Sequence, residues 1–193
     1  PHPRYTKIPG DFMAAPASAL GRDYAPEVKK RRGLHLHTLH PIEGLYDFWL
    51  PGPENLEGGK RTIDFVIKNR GNYIQWCALD DIMRTPALLP AWQAHTKALT
   101  DFAHAHGVHT GAALQLFGSG NLQNAFDLID DTTVDPVPEM ERRLHLLLDG
   151  TGFDTLNLSF GEFFGAEPAR FVAEVDSAYA TMQRVQPGVE LTA

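Results

Sequence analysis

The chain has 193 residues, 43% of them hydrophobic and 21% charged, with a formal net charge of -7. That length lies within the range of one domain and is ample for a buried core, while the negative balance offers no basic face for nucleic acid. No apolar run approaches the roughly 20 residues needed to cross a bilayer, and the single cysteine, Cys77, rules out an internal disulfide or a cysteine-based zinc site.

Residues 1–32 hold Pro1, Pro3, Pro9, Pro16 and Pro26 and follow neither a helical nor a strand period, so they read as an arm or linker. The run Lys29-Lys30-Arg31-Arg32 at the end of this arm reads as solvated charge. A start at Pro1 without a charged-then-apolar leader suggests a processed product or a fragment. A soluble protein is expected, cytoplasmic or exported after leader removal. Cys77 reads as a buried thiol rather than a nucleophile.

Residues 33–193 read as one domain. Five strand-like runs are visible at Leu34–Leu39, Tyr73–Leu79, Val108–Leu116, Phe153–Ser159 and Val189–Thr192. Helical spacing fills the gaps. Ile63, Val66, Ile67 and Arg70 share one side of a first helix that stops at Gly71, a residue suited to a left-handed cap. A second starts near Pro90, presents Trp92, Leu99, Phe102 and Ala103, and ends before Gly107. The third crossover reads as two helical pieces, one after Asn121 with Leu122, Ala125, Phe126 and Ile129, the other with Met140, Leu144, Leu147 and Leu148 before Gly150. The fourth opens at Pro168 and repeats Phe171, Val175, Ala178, Tyr179, Met182 and Val185.

Strands separated by helical crossovers pair in parallel, because a tight hairpin can join only antiparallel neighbours. The strand starts recur about every 40 residues, near the roughly 31 per unit of an eight-unit barrel once loop insertions are allowed. The expected fold is α/β, a parallel-stranded (β/α) barrel that is incomplete, holding the first four to five βα units. An open flavodoxin-type sheet is the alternative. A partial barrel would leave unpaired edges, so its expected partners include a missing C-terminal half or a second copy.

Working residues in parallel α/β folds lie at the C-terminal ends of strands. By strand parity, His35 and His37 share a face, as do Gln75, Cys77 and Asp81, then Gly111, Ala113 and Gln115, then Asn157 and Ser159. The opposite parity is apolar, so the polar set is expected to face the lumen. Glu162 follows the fourth strand in an apolar loop, where desolvation would raise its proton affinity and suit it to general acid catalysis. Asp80 and Asp81 end the second strand and could face it as base, nucleophile or hydroxyl acceptor.

The cluster His35-Leu-His37-Thr-Leu-His40-Pro-Ile-Glu43 is the densest set of potential ligands. Its His-x-His-Thr opening resembles that of the PHP phosphoesterases over about five residues, which would imply a divalent metal held by His35 and His37. The PHP pattern calls for a histidine between acids after the second strand, where this chain has Asp80-Asp81-Ile82. Without metal the same histidines would hydrogen-bond a substrate. His104, His106 and His109 surround the end of the second helix and read as structural. Gly118-Ser-Gly-Asn121 could cradle an anion, although Asn121 also suits a plain N-cap. Tyr46, Phe48, Trp49, Phe117, Phe160, Phe163 and Phe164 could stack on sugar faces or pack loops together.

A parallel barrel with a Glu after strand four, acids after strand two and aromatics at its mouth resembles the (β/α)8 glycoside hydrolases. The fourth strand, Phe153-Asp-Thr-Leu-Asn157-Leu-Ser159-Phe-Gly-Glu162, is similar to the chitinase-like Asp-x-x-Asp-x-Asp-x-Glu signature, with Asn157 and Ser159 in place of acids and Glu162 one residue further along. The resemblance implies a cofactor-free hydrolase acting on a carbohydrate or other small polar substrate. In it Glu162 is the acid, Asp81 or Asp80 the partner carboxylate, and His37, His40, Gln115, Ser159 and Asn157 bind substrate. A metal-dependent hydrolase using His35 and His37, and a non-catalytic barrel that binds sugar or protein, are the alternatives.

Overall fold

A computed structural model describes residues 31–36, 46–117, 125–130, 133–159 and 167–192. Its strands are β1 (Gly33–Leu36), β2 (Tyr73–Cys77), β3 (His109–Phe117), β4 (Asp127–Ile129), β5 (Thr155–Ser159) and β6 (Glu190–Thr192). The helices are α1 (Tyr46–Trp49), α2 (Pro53–Lys68), α3 (Asp81–Arg84), α4 (Leu89–Ala105), α5 (Pro136–Leu148) and α6 (Pro168–Val185). All strand pairs are parallel, in the order β1-β2-β3-β5-β6, with β4 attached to β3. Among the described residues the sheet does not close, and β1 and β6 are its edges. This is the parallel α/β architecture expected. No helix among the described residues is long and apolar enough to cross a membrane.

Helix boundaries follow simple chemistry. Each of α2, α4, α5 and α6 carries a proline in its first turn, where the missing N–H has no intrahelical partner to lose. Gly107 and Gly150, just past α4 and α5, take left-handed φ values of 73° and 70°. After α2 that conformation falls on Arg70, with φ 58°, and not on Gly71 as the sequence predicts. Gly71 is needed for a different reason: a Cβ there would lie 2.5 Å from Val66 Cγ1.

The strand registers align the alternating faces across the sheet. Leu36, Trp76, Ala112, Leu156 and Leu191 form one rung, and this parity meets the helices. Trp76 is fully buried between the rings of Phe48 and Phe153, at centroid distances of 5.2 and 5.0 Å. The helices contribute Ile63, Val66, Trp92, Leu99, Met140, Leu144 and Met182 to the same core. Tyr179, predicted on the apolar side of α6, is instead 53% exposed.

β4 corrects the helix expected over Leu122–Ile129, since Asp127–Ile129 is extended and paired with β3. β2 leaves the sheet after Cys77, so the upper part of β3 has an open edge on that side, β5 holding the other. The Phe126 carbonyl accepts Gln115 N–H at 2.9 Å, and Phe126 N–H donates to the Ala78 carbonyl at 2.8 Å. Filling a row of open main-chain partners outweighs the local helical spacing of the side chains.

Candidate functional site

The face of the sheet turned away from the helices carries two polar rungs. His35, Gln75, Gly111, Thr155 and Glu190 are register partners in the lower one. Cys77, Ala113, Asn157 and Thr192 form the upper one, with Gln115 opposite Ser159 above it. Because Gly111 and Ala113 are small, the middle of this face is recessed. A cavity of about 210 Å³ results, lined by His35, Cys77, Ala113, Leu114, Gln115, Asn157 and Ser159.

Below the cavity the lower rung is tied together. Tyr73 Oη donates to Gln75 Oε1 at 2.5 Å and lies 2.8 Å from Thr155 Oγ1, spanning β2 to β5 over β3. Gly111 makes that span possible, since a Cβ there would sit 2.3 Å from Tyr73 Oη and 2.4 Å from Thr155 Oγ1. Gln75 Nε2 is 3.3 Å from His35 Nε2. Burial pushes the Tyr73 phenol up, the hydrogen bond with Thr155 and the charge of Arg31 working against it. In the upper rung Asn157 Nδ2 donates to Thr192 Oγ1 at 3.1 Å.

Two atoms of the lining define its chemistry. Gln115 Oε1 is a buried acceptor with no hydrogen-bond partner, an arrangement that a bound donor would relieve. Burial also pushes the Cys77 thiol up to about 11, so it lines the wall as a neutral group. The described lining carries no carboxylate, lysine or arginine, and its main polar groups are two amides, a hydroxyl and the His35 imidazole.

Of the residues singled out in the sequence, Gln115, Asn157, Ser159 and His35 are brought together on this cavity. Asp80 and Asp81 are not part of that lining, because the chain turns after Leu79 into α3 and strand parity ends there. Asp80 is buried, with Oδ2 2.5 Å from Arg84 Nε and Oδ1 without a hydrogen-bond partner. Burial raises its carboxyl, Arg84 offsets part of this, and Asp81 adds to it. Asp81 Oδ2 accepts the Trp49 indole N–H at 2.8 Å. Asp80, the N-cap of α3, makes no capping hydrogen bond through its side chain. Glu162, His37 and His40 lie outside the described residues, as do Gly118–Asn121, Phe160, Phe163 and Phe164.

Among the described residues no group of three His, Cys, Asp or Glu side chains gathers as a metal site. His104 and His109 lie around Asp154, at 2.8 and 3.6 Å, and His106 Nδ1 is 2.7 Å from the Phe102 carbonyl oxygen. Burial pushes the Asp154 carboxyl up, but the Thr110 N–H and His104 outweigh it and hold it below its ordinary value. Sequence reading missed Tyr73 and Thr155, although both share the lumen parity. It also missed Arg143, which is buried and within 2.7 Å of Asp127 and 2.6 Å of Glu139.

No protein-family model matches the sequence, and no curated protein matches it. Solved structures do resemble the fold. GH5_18 from Streptomyces cattleya, solved in complex with GlcNAc, is 21% identical with a TM-score of 0.56 over 84% of this chain and 44% of its own. A beta-arabinopyranosidase is 16% identical with a TM-score of 0.50 over 89% of this chain and 23% of its own. The chain thus spans less than half the length of either. Its fold is that of part of the barrel seen in glycoside hydrolases.

Proposed function

We propose that this chain contributes the first strands and part of the substrate site of a carbohydrate-active hydrolase of (β/α)-barrel type. The observation that carries the reading is the polar cavity at the upper ends of the strands, with Gln115, Asn157, Ser159 and His35 on its wall and the unpartnered Gln115 Oε1 within it. Neutral amides and hydroxyls match sugar hydroxyls in both donor and acceptor sense. The likeness of the fold to glycoside hydrolases supports the same assignment. His37 and His40 would bind further hydroxyls.

In this reading Glu162 protonates the leaving oxygen and Asp81 or Asp80 is the partner carboxylate. The raised carboxyl of Asp80 supports an acid or hydroxyl-binding role there. The test is hydrolysis of a panel of aryl glycosides by the protein expressed from its complete reading frame. Glu162→Gln should lower kcat/KM by about 10²–10⁴ on substrates with poor leaving groups. Gln115→Ala should raise KM. Turnover unchanged by Glu162→Gln would sink the catalytic assignment.

A barrel that binds sugar without cleaving it is the second reading. It is favoured by the amides and hydroxyl of Gln115, Asn157 and Ser159, which suit recognition of sugar hydroxyls whether or not a bond is cleaved. Sugar binding measured by calorimetry, with no glycoside turned over, would select it.

A further inference from the structure

With the Gln75 carboxamide oriented as it is here, oxygen toward Tyr73 and nitrogen toward His35, the hydrogen bonds beneath the cavity define one set of proton positions. The carboxamide oxygen of Gln75 cannot donate, so the single phenolic proton of Tyr73 is spent on it. Tyr73 Oη is then an acceptor toward Thr155, whose hydroxyl must supply the proton at 2.8 Å. On the other side of the carboxamide, Gln75 Nε2 carries only protons and cannot accept. His35 Nε2, 3.3 Å away, is therefore the acceptor of that contact. A neutral imidazole that accepts at Nε2 carries its proton on Nδ1.

We infer that Thr155, Tyr73 and Gln75 are positioning residues that hold His35 as the neutral, Nδ1-protonated tautomer at the edge of the cavity. The network is built into the sheet: its residues lie on β1, β2 and β5, and it passes over β3 at Gly111, the register position that leaves room for it. Two consequences follow for the ligand. With its Nε2 lone pair engaged by Gln75, His35 has no lone pair at that nitrogen to give a metal. With Nδ1 protonated, any contact made through that nitrogen is one in which His35 donates, to an acceptor such as a hydroxyl, ether or carbonyl oxygen. The identity of that ligand rests on the carbohydrate reading above, whereas the tautomer does not.

The experiment is a long-range proton–nitrogen correlation spectrum of the full chain labelled with ¹⁵N-histidine, with His35→Gln identifying the His35 signals. The expected pattern is an unprotonated Nε2 and a protonated Nδ1. Gln75→Glu replaces the donor facing His35 with an acceptor and should invert the pattern, with near-ultraviolet circular dichroism confirming that the fold is retained. Tyr73→Phe releases the carboxamide oxygen and should give a mixture of both tautomers. A wild-type Nε2 that carries the proton, or a pattern unmoved by Gln75→Glu in a folded protein, would overturn the inference. Titration with N-acetylglucosamine reads the other question separately. If the His35 signals do not move on adding the sugar, the carbohydrate assignment loses support while the tautomer result stands.

Discussion

Arg31, two residues ahead of β1, forms an ion pair with Glu190 on β6, although the two strands are opposite edges of the sheet. The contact requires the sheet to curl strongly, as the parallel sheet of a barrel does, and Glu190 belongs to the rung beneath the cavity. Arg31 also stands over the Tyr73 ring at 5.4 Å, which joins this contact to the network under the site. Both ion-pair side chains keep solvent contact, so the pair itself should contribute little, about 0.2–1 kcal/mol. Glu190→Gln should cost that much in urea denaturation and less at high salt. Arg31→Ala should cost more, because the cation–π contact adds about 0.5–1 kcal/mol. Equal costs for the two variants would show that the ring contact contributes nothing.

Gly111 is expected to tolerate no side chain while Tyr73 reaches Thr155 across it. The Cβ of Gly111→Ala would meet two oxygens well inside contact distance, and overpacking of this kind costs about 1–3 kcal/mol. Tyr73→Phe removes one of those oxygens. The double variant should therefore be less destabilised than the sum of the single ones, by more than the roughly 0.5 kcal/mol within which independent sites add. Strict additivity in chemical denaturation would mean that the two residues do not compete for this space.

The alternation of the strands was legible because it depends only on neighbouring residues: Gln75 and Cys77, Ala113 and Gln115, Asn157 and Ser159 stand two apart and share a face. The four main helices were legible from their apolar spacing, with prolines marking the starts of α4 and α6 and glycines following α2, α4 and α5. β4 was not, because Asp127–Ile129 is extended only where β2 has left the edge of β3, and nothing local to residues 121–129 records that departure. The Arg31–Glu190 pair joins positions 159 apart in sequence, beyond any local pattern. For the candidate site, parity correctly grouped the neutral residues of the cavity. It misled at Asp81, because Asp80 and Asp81 belong to the turn into α3, where the Asp80 carbonyl accepts Met83 N–H at 2.8 Å.

Cys77 offers a check on the cavity that needs no ligand. With its thiol pushed up to about 11, only about one thiol in a thousand is ionised at pH 8. Iodoacetamide should therefore alkylate the native protein far more slowly than the urea-unfolded chain, where an ordinary thiol of about 8.5 is substantially ionised. Comparable rates in the two states would show that the wall of the cavity is open and wet.

Arg143 should be the most costly single charge to remove. It is buried, lies 2.7 Å from Asp127 on β4 and 2.6 Å from Glu139, and donates to the Asp127 carbonyl at 2.9 Å, so it joins β4 to α5. Arg143→Met leaves Asp127 without its partner, and breaking a buried pair costs about 3–5 kcal/mol. The pH dependence separates its two carboxylates. Burial already raises the Asp127 carboxyl against the pull of Arg143, and losing Arg143 would raise it further. A raised carboxyl favours folding below its unfolded pKa and loses that contribution as pH rises through the folded value, so the variant should recover part of its deficit between pH 7 and about pH 4. Glu139 behaves oppositely. Its hydrogen bonds, first from Arg142 and then from Arg143, hold it at about 2, so its stabilisation is present above about pH 4.3 and fades as pH falls toward 2. Urea denaturation of wild type and Arg143→Met at pH 7, 4 and 2.5 should show the gap between them narrowing on acidification. A gap that is constant with pH would mean that Arg143 acts by packing alone.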